Sequence, residues 1–315
     1  MRSRYGLAFL ASALLSSLIL LPGCGTGRDD DDAPPRTRGG KGAPVSVATK
    51  KRTPVAGTYE GVISGKVKWN GGAVNPAALA FVTDPTKQDS EYCKQASEYE
   101  TRERSFWVGD NGNLGNVVVW IEPEEGKFFD VPAAQLKAFA KGGEKGKRVV
   151  SQPRCAFLPH VTLLFQSYYK DGKQVETGQE FIVLNDATVS HNANVKAGSD
   201  NLGGGTLPPG KQDTIFAAPT DDPIVIGCNI HPWMKGYARS FEHPYAAVSR
   251  VGGDIPKKVY QNRKAEDFGT FKIEGVPVGA KVTLKAWHET LGVFFTKEIA
   301  ALKKDNTEEI AAQPK

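Results

Sequence analysis

Apolar residues in this chain come in short runs, most of which alternate with polar positions. Ile63, Val67 and Trp69 share one face of a segment whose other face carries Ser64, Lys66 and Lys68, the period of a strand buried on one side. Ala78 to Val82 and Ser105 to Val108 predict two further strands, and Val117 to Ile121, apolar throughout, predicts one covered on both faces. Gly109-Asp110-Asn111-Gly112 places a tight turn between the last two. One stretch has a helical period instead: Ala133, Leu136 and Phe139 predict a short helix over 132–140, followed by a glycine- and lysine-rich connector. Strands resume at Val149-Val150, Val161 to Phe165 and Phe181 to Leu184, with Asp171-Gly172 as a two-residue hairpin turn and Gly203 to Gly205 and Pro208-Pro209-Gly210 as loops. Farther on, Phe268 to Gly279 and Val282 to Trp287 form a second hairpin pattern around Pro277 and Gly279. The expectation is an all-β chain of packed sandwiches, and 34 glycines with 20 prolines suit the many turns it needs.

The leading residues differ in character. Arg2 and Arg4 precede Leu7 to Leu21, an apolar core too short and too rich in small residues for a comfortable membrane span, as in an export signal. The segment 1–24 ends Leu21-Pro22-Gly23-Cys24 and resembles a bacterial lipoprotein signal, except that Pro22 stands where that pattern has a small or β-branched residue. The resemblance implies a lipid on Cys24, membrane attachment through it, and an envelope location facing the periplasm. Residues 25–56, with Asp29 to Asp32, Pro34 and Pro35, have almost nothing to bury and are expected to be a disordered linker. The rest of the 315 residues is long enough for two or three domains, read as a β-rich region over 57–147, a domain carrying the chemistry over 148–242, and a β region over 243–315. A net charge of +5, scattered without a basic stripe, argues against nucleic-acid binding.

The candidate chemistry lies in Cys228-Asn229-Ile230-His231-Pro232-Trp233-Met234, which follows the apolar run Pro223 to Ile226. Thiolate, imidazole and thioether on one turn are what a copper electron-transfer site draws from its last loop, and Ser190-His191-Asn192, after the strand-like run Glu180 to Asn185, can supply a second imidazole. Soft sulfur suits Cu(I), and imidazole suits both oxidation states. The set His191, Cys228, His231 and Met234 fills its places with protein atoms, where an enzyme binding substrate at its metal keeps one open.

With these residues the sequence resembles the cupredoxins, and Cys-x2-His-x2-Met with Pro and an aromatic after His is most similar to the amicyanin branch of that plastocyanin-like group. The resemblance implies one type 1 copper on His191, Cys228, His231 and Met234, a supporting role for Asn192, and single-electron transfer to redox proteins that dock transiently. It implies no enzymatic reaction, and it points to the exposed edge of the His231 ring as the electron port. The piece from Phe268 to Trp287 resembles carboxypeptidase regulatory-like, prealbumin-type modules, whose early strands are similar to the stretch from Gly57 onward. This implies that the two flanks close into one smaller sandwich around an inserted copper domain.

With Cys24 assigned to lipid and Cys228 to metal, Cys93 and Cys155 remain, and outside the cytoplasm they are expected to form a disulfide, two separately buried thiols being the alternative. His160 is read as a core or strand-edge residue, and His243 and His288, each beside a carboxylate, are open between strand ends and a second site. Two other functions stay in view: copper storage or delivery through the same residues, and a metal-free adhesion or carbohydrate-binding β-sandwich module.

Overall fold

A computed structural model describes residues 51–252 and 265–314; the expected export signal and Cys24 lie outside them, as does most of the linker expected over 25–56, whose described end is instead ordered, with Thr53–Pro54 pairing with Lys127–Phe128 and Val55 buried in a core. The described residues are predominantly β, with a few short helices. Two sandwiches can be traced. In the first, one sheet runs in the order Asp200–Leu207, His191–Ala197, Ile224–Gly227, Lys235–Ser240, Val161–Leu164, and the other Gln212–Ile215, Glu180–Leu184, Lys147–Ser151. Val150, Phe181, Val183 and Ile215 from the second sheet share a core with Val195, Ile224, Ile226 and Ala238 from the first.

The second sandwich is made from both flanks. Thr58–Trp69 lies between Thr270–Val278 and Asp305–Ala312, and Val118–Pro123 lies between Ala246–Val248 and Val282–His288, with Gly292–Ile299 at the edge. Ile63 and Val67 from before the insertion thus pack with Ile273, Leu284 and Ile310 from after it. Alternation in Thr58–Trp69 has the expected cause, since Ile63 and Val67 face this core. The unbroken apolar run 117–121 has another: Val119 and Ile121 enter the core of this sandwich, whereas Val118 and Trp120 pack with Val161, Phe241 and Trp287 in a seam between the two sandwiches.

Several local expectations are met. The helix is Ala133–Phe139; Asp171 and Gly172, with φ of 49° and 80°, join Ser167–Lys170 to Lys173–Glu176; and the Gly112 N–H closes the predicted turn on the Gly109 carbonyl at 2.8 Å. Three are corrected. Ala80–Thr83 is a helical turn, because the Ala78 to Val82 run has only an isolated bridge from Ala78 to Arg102 and so no ladder to join. Ser105 to Val108 is likewise no strand beyond the bridge from Val108 to Leu114. Gly203 to Gly205 are part of the strand Asp200–Leu207, where glycine permits a close approach: a Cβ on Gly204, at φ +107°, would stand 1.6 Å from the Ala193 carbonyl oxygen.

Candidate metal centre

Register brings the predicted ligands to one end of the first sandwich. His191–Ala197 and Ile224–Gly227 are antiparallel, with Asn194 opposite Gly227, so His191 at the start of one strand and Cys228 just past the end of the other emerge together. Gly227 also pairs with Lys235, which makes 228–234 the loop of a hairpin, and the Met234 N–H donates to the His231 carbonyl at 2.9 Å inside it. Asn192 ties the two segments: its backbone N–H donates to Cys228 Sγ at 3.3 Å, and its Oδ1 accepts the Asn229 N–H at 3.4 Å.

The donor atoms converge. His191 Nδ1 lies 3.0 Å from His231 Nδ1, Cys228 Sγ lies 3.8 Å from His231 Nδ1, and one ligand atom from each of the three residues falls within 4.8 Å of the others. Two nitrogens this close can both sit about 2.0–2.1 Å from one ion, the usual imidazole–zinc separation. All three side chains are buried, and Met234 is fully buried in the same core as Cys228. Cys228 is the one free thiol among the described cysteines.

Electrostatics keep the imidazoles neutral, the form that binds metal. Burial, reinforced by the neighbouring His231, pushes His191 down to about 4, against smaller opposing effects of the Arg154 backbone, Asp89 and Asp186. Burial also lowers His231, opposed by Asp89. Two neutral imidazoles facing each other beside a sulfur fit a soft or borderline cation, and the mixed nitrogen and sulfur donors fit copper.

The expected exposed edge of His231 is a correction, for the ring is 0% exposed. A segment from the N-terminal region covers it. Phe81 packs on Trp233 at 5.0 Å, Trp233 packs on His231 at 5.2 Å, and Asp89 Oδ2 stands 3.0 Å from His231 Nε2. The cap is fastened by the Cys93–Cys155 disulfide, whose sulfurs lie within 4.8 Å of a His231 ring nitrogen, and by Tyr92, whose hydroxyl donates to the Pro153 carbonyl at 3.0 Å and accepts the Thr188 N–H at 3.2 Å. Sequence reading paired the two cysteines but gave no hint that their bridge adjoins the site.

The other histidines sit elsewhere. His160 pairs with Glu289 at 2.9 Å and accepts from Arg104 Nε at 3.4 Å; His243 is stacked between Phe241 and Tyr245; His288 stacks on Phe106 and hydrogen-bonds the Ser105 carbonyl. Among the described residues, no cluster of three metal-capable groups includes any of them.

No protein-family model matches the sequence, and no curated protein matches it. Among solved structures the chain is similar to a copper-containing nitrite reductase from Thermus scotoductus SA-01, at 22% identity over 30% of this chain, and spans 22% of that enzyme's length, with a TM-score of 0.23. It is similar to a purple cupredoxin from Nitrosopumilus maritimus at 15% identity over 29% of this chain and 97% of that one, with a TM-score of 0.23. Amicyanin from Paracoccus versutus shows 19% identity over 38% of this chain and 96% of that one, also at 0.23.

Proposed function

We propose that this chain holds one copper ion on His191, Cys228, His231 and Met234 and passes single electrons, with no reaction of its own to catalyse. The observation carrying this reading is the convergence of two Nδ1 atoms 3.0 Å apart with a thiol sulfur 3.8 Å from one of them, on two loops held by sheet register. Bound copper would supply a one-electron couple between its two common oxidation states. The protein's part is to keep the donors still through that change: Asn192 braces the loops, and burial excludes water. Four protein donors leave no coordination place for a substrate, which supports a carrier over an enzyme. In this reading a lipid on Cys24 tethers the carrier in the cell envelope, where it meets redox proteins transiently. Because His231 is covered, half-buried Trp233, which touches it, offers the way outward.

Titration with Cu(II) tests the proposal. One equivalent should produce an intense visible thiolate-to-copper absorption, and Cys228→Ser should abolish it. An intact protein that takes up no copper, or binds it without that absorption, overturns the reading. The enclosure of His231 favours copper storage or delivery as the second reading. Slow electron exchange together with ready surrender of Cu(I) to a chelator would select it.

A further inference from the structure

Asp89 opens the short helix Ser90–Cys93, where an aspartate ordinarily turns its carboxylate back onto the first free backbone N–H groups. Here it makes no such bond. Its carbonyl accepts the N–H groups of Tyr92 and Cys93 at 3.0 and 2.9 Å, and its backbone takes φ 54°, a left-handed conformation that Asp and Asn tolerate better than most residues. Its side chain faces the metal loop instead: Oδ2 accepts from His231 Nε2 at 3.0 Å, while Oδ1 accepts from Gln88 at 3.2 Å. The His231 side chain is 0% exposed and that of Asp89 24%, so this carboxylate reaches a fully buried ring from the rim.

A carboxylate on the far nitrogen of a ligating imidazole fixes the tautomer, since an N–H at Nε2 leaves the lone pair at Nδ1, the atom facing His191 and Cys228. It also brings a negative charge to the outer edge of the ligand. That charge favours the more highly charged oxidation state of a bound ion. Resting on the copper reading above, we propose that Asp89 is a positioning residue that orients His231 and biases the site toward Cu(II), delivered from the cap by a carboxylate withdrawn from helix capping.

The test compares the full-length chain with Asp89→Asn, which tolerates the same backbone and keeps an acceptor oxygen without the charge, and with Asp89→Ala, which keeps neither. Affinities for Cu(II) and Cu(I) are measured with competing chelators, alongside the visible spectrum. Tyr92→Phe serves as control, because it loosens the fastening of the cap and leaves the carboxylate in place. The expected result is a thiolate absorption in all four proteins, with the Cu(II)-to-Cu(I) affinity ratio reduced about tenfold or more in Asp89→Ala and by less in Asp89→Asn. Tyr92→Phe should lower the melting temperature without moving the ratio. Should Asp89→Ala fail to fold, a ratio in Asp89→Asn equal to that of the unaltered chain overturns the proposal on its own. An unchanged ratio in both Asp89 variants, or an equal change in Tyr92→Phe, overturns it while the copper reading stands. Absence of the thiolate absorption in the unaltered chain overturns both.

Discussion

His243 is enclosed by aromatic rings. Phe241 and Tyr245 stack on it, each with a centroid separation of 5.6 Å, Phe129 meets it edge-on at 4.9 Å, and its Nδ1 accepts the Tyr245 N–H at 3.2 Å. Burial pushes it from 6.5 down to about 4, despite the opposing pull of Glu242 and Glu122. The folded chain therefore binds this proton less readily than the unfolded one. Its contribution to stability is complete above pH 6.5 and is lost as pH falls through about 4, amounting to about 3 kcal/mol across that window. Replacing the ring in His243→Phe keeps the stacking and removes the proton. Urea unfolding at a series of pH values should show the variant losing less stability than the unaltered chain between those two values; parallel losses would exclude His243 as a source of acid sensitivity. Sequence alone left this residue open between a strand end and a metal site, because neither a neighbouring carboxylate nor a following proline reports which rings will close around it. Cys228 and His231 were legible for the opposite reason: they follow the strand Ile224–Gly227, whose end the apolar run marks, and with His191 their donor types suit one ion, although the strand His191–Ala197 that His191 opens was not foreseen. Asp89 was not legible, since an aspartate before a helical turn has an ordinary use as a cap.

At the scale of elements, the segment between Leu79 and Arg102 stands apart from the strands around it. Its helices are single turns, too short to be stable on their own, and Leu79, Phe81 and Cys93 find their burial in the core of the first sandwich. A disulfide between residues 62 positions apart is therefore a large part of what keeps it closed over the loop 228–234. By the chain-entropy estimate a loop of that length gives ~4 kcal/mol. Replacing both cysteines, Cys93→Ala with Cys155→Ala, should lower the melting temperature of the metal-free protein markedly, and proteolysis should cut first between 79 and 102. Unchanged melting and unchanged cleavage would mean that packing of Phe81 and Tyr92 suffices to hold the cap. The same segment explains where strand prediction failed. Ala78 to Val82 alternates as a strand does, with Leu79 and Phe81 buried, but alternation reports burial and says nothing of a neighbouring strand to bond with. Where such neighbours exist, as for Val161–Leu164 and Glu180–Leu184, the runs became strands at the expected places.

For the whole molecule, the decisive contacts are those joining the inserted sandwich to the one built from its flanks. Their seam contains Val118, Trp120 and Trp287 from the flanks and Val161 and Phe241 from the insertion, with the Arg239 guanidinium 5.3 Å from the Trp120 ring and 5.7 Å from Trp287. Beside it the His160 Nε2–H donates to the Glu289 carboxylate at 2.9 Å, with the two side chains 4% and 5% exposed. Burial alone would raise the Glu289 carboxyl, but His160 and a hydrogen bond from Tyr237 outweigh it and hold the group at about 2. Taking a carboxylate out of water costs several kcal/mol, so this hydrogen-bonded contact adds little net stability over an apolar replacement, whereas losing His160 strands the buried carboxylate. His160→Leu should consequently destabilise the chain by roughly 3–5 kcal/mol, Glu289→Leu by less, and the double change His160→Leu with Glu289→Leu by much less than their sum. Denaturant unfolding of the set forms a double-mutant cycle, and a double variant as unstable as the sum of its single changes would show that the pair is not coupled. If the contact sets how the sandwiches meet, His160→Leu should also split a single calorimetric transition into two, since the flanking sandwich keeps its own core of Ile63, Val119, Ile273 and Ile310 while the insertion loses its hold on Trp287.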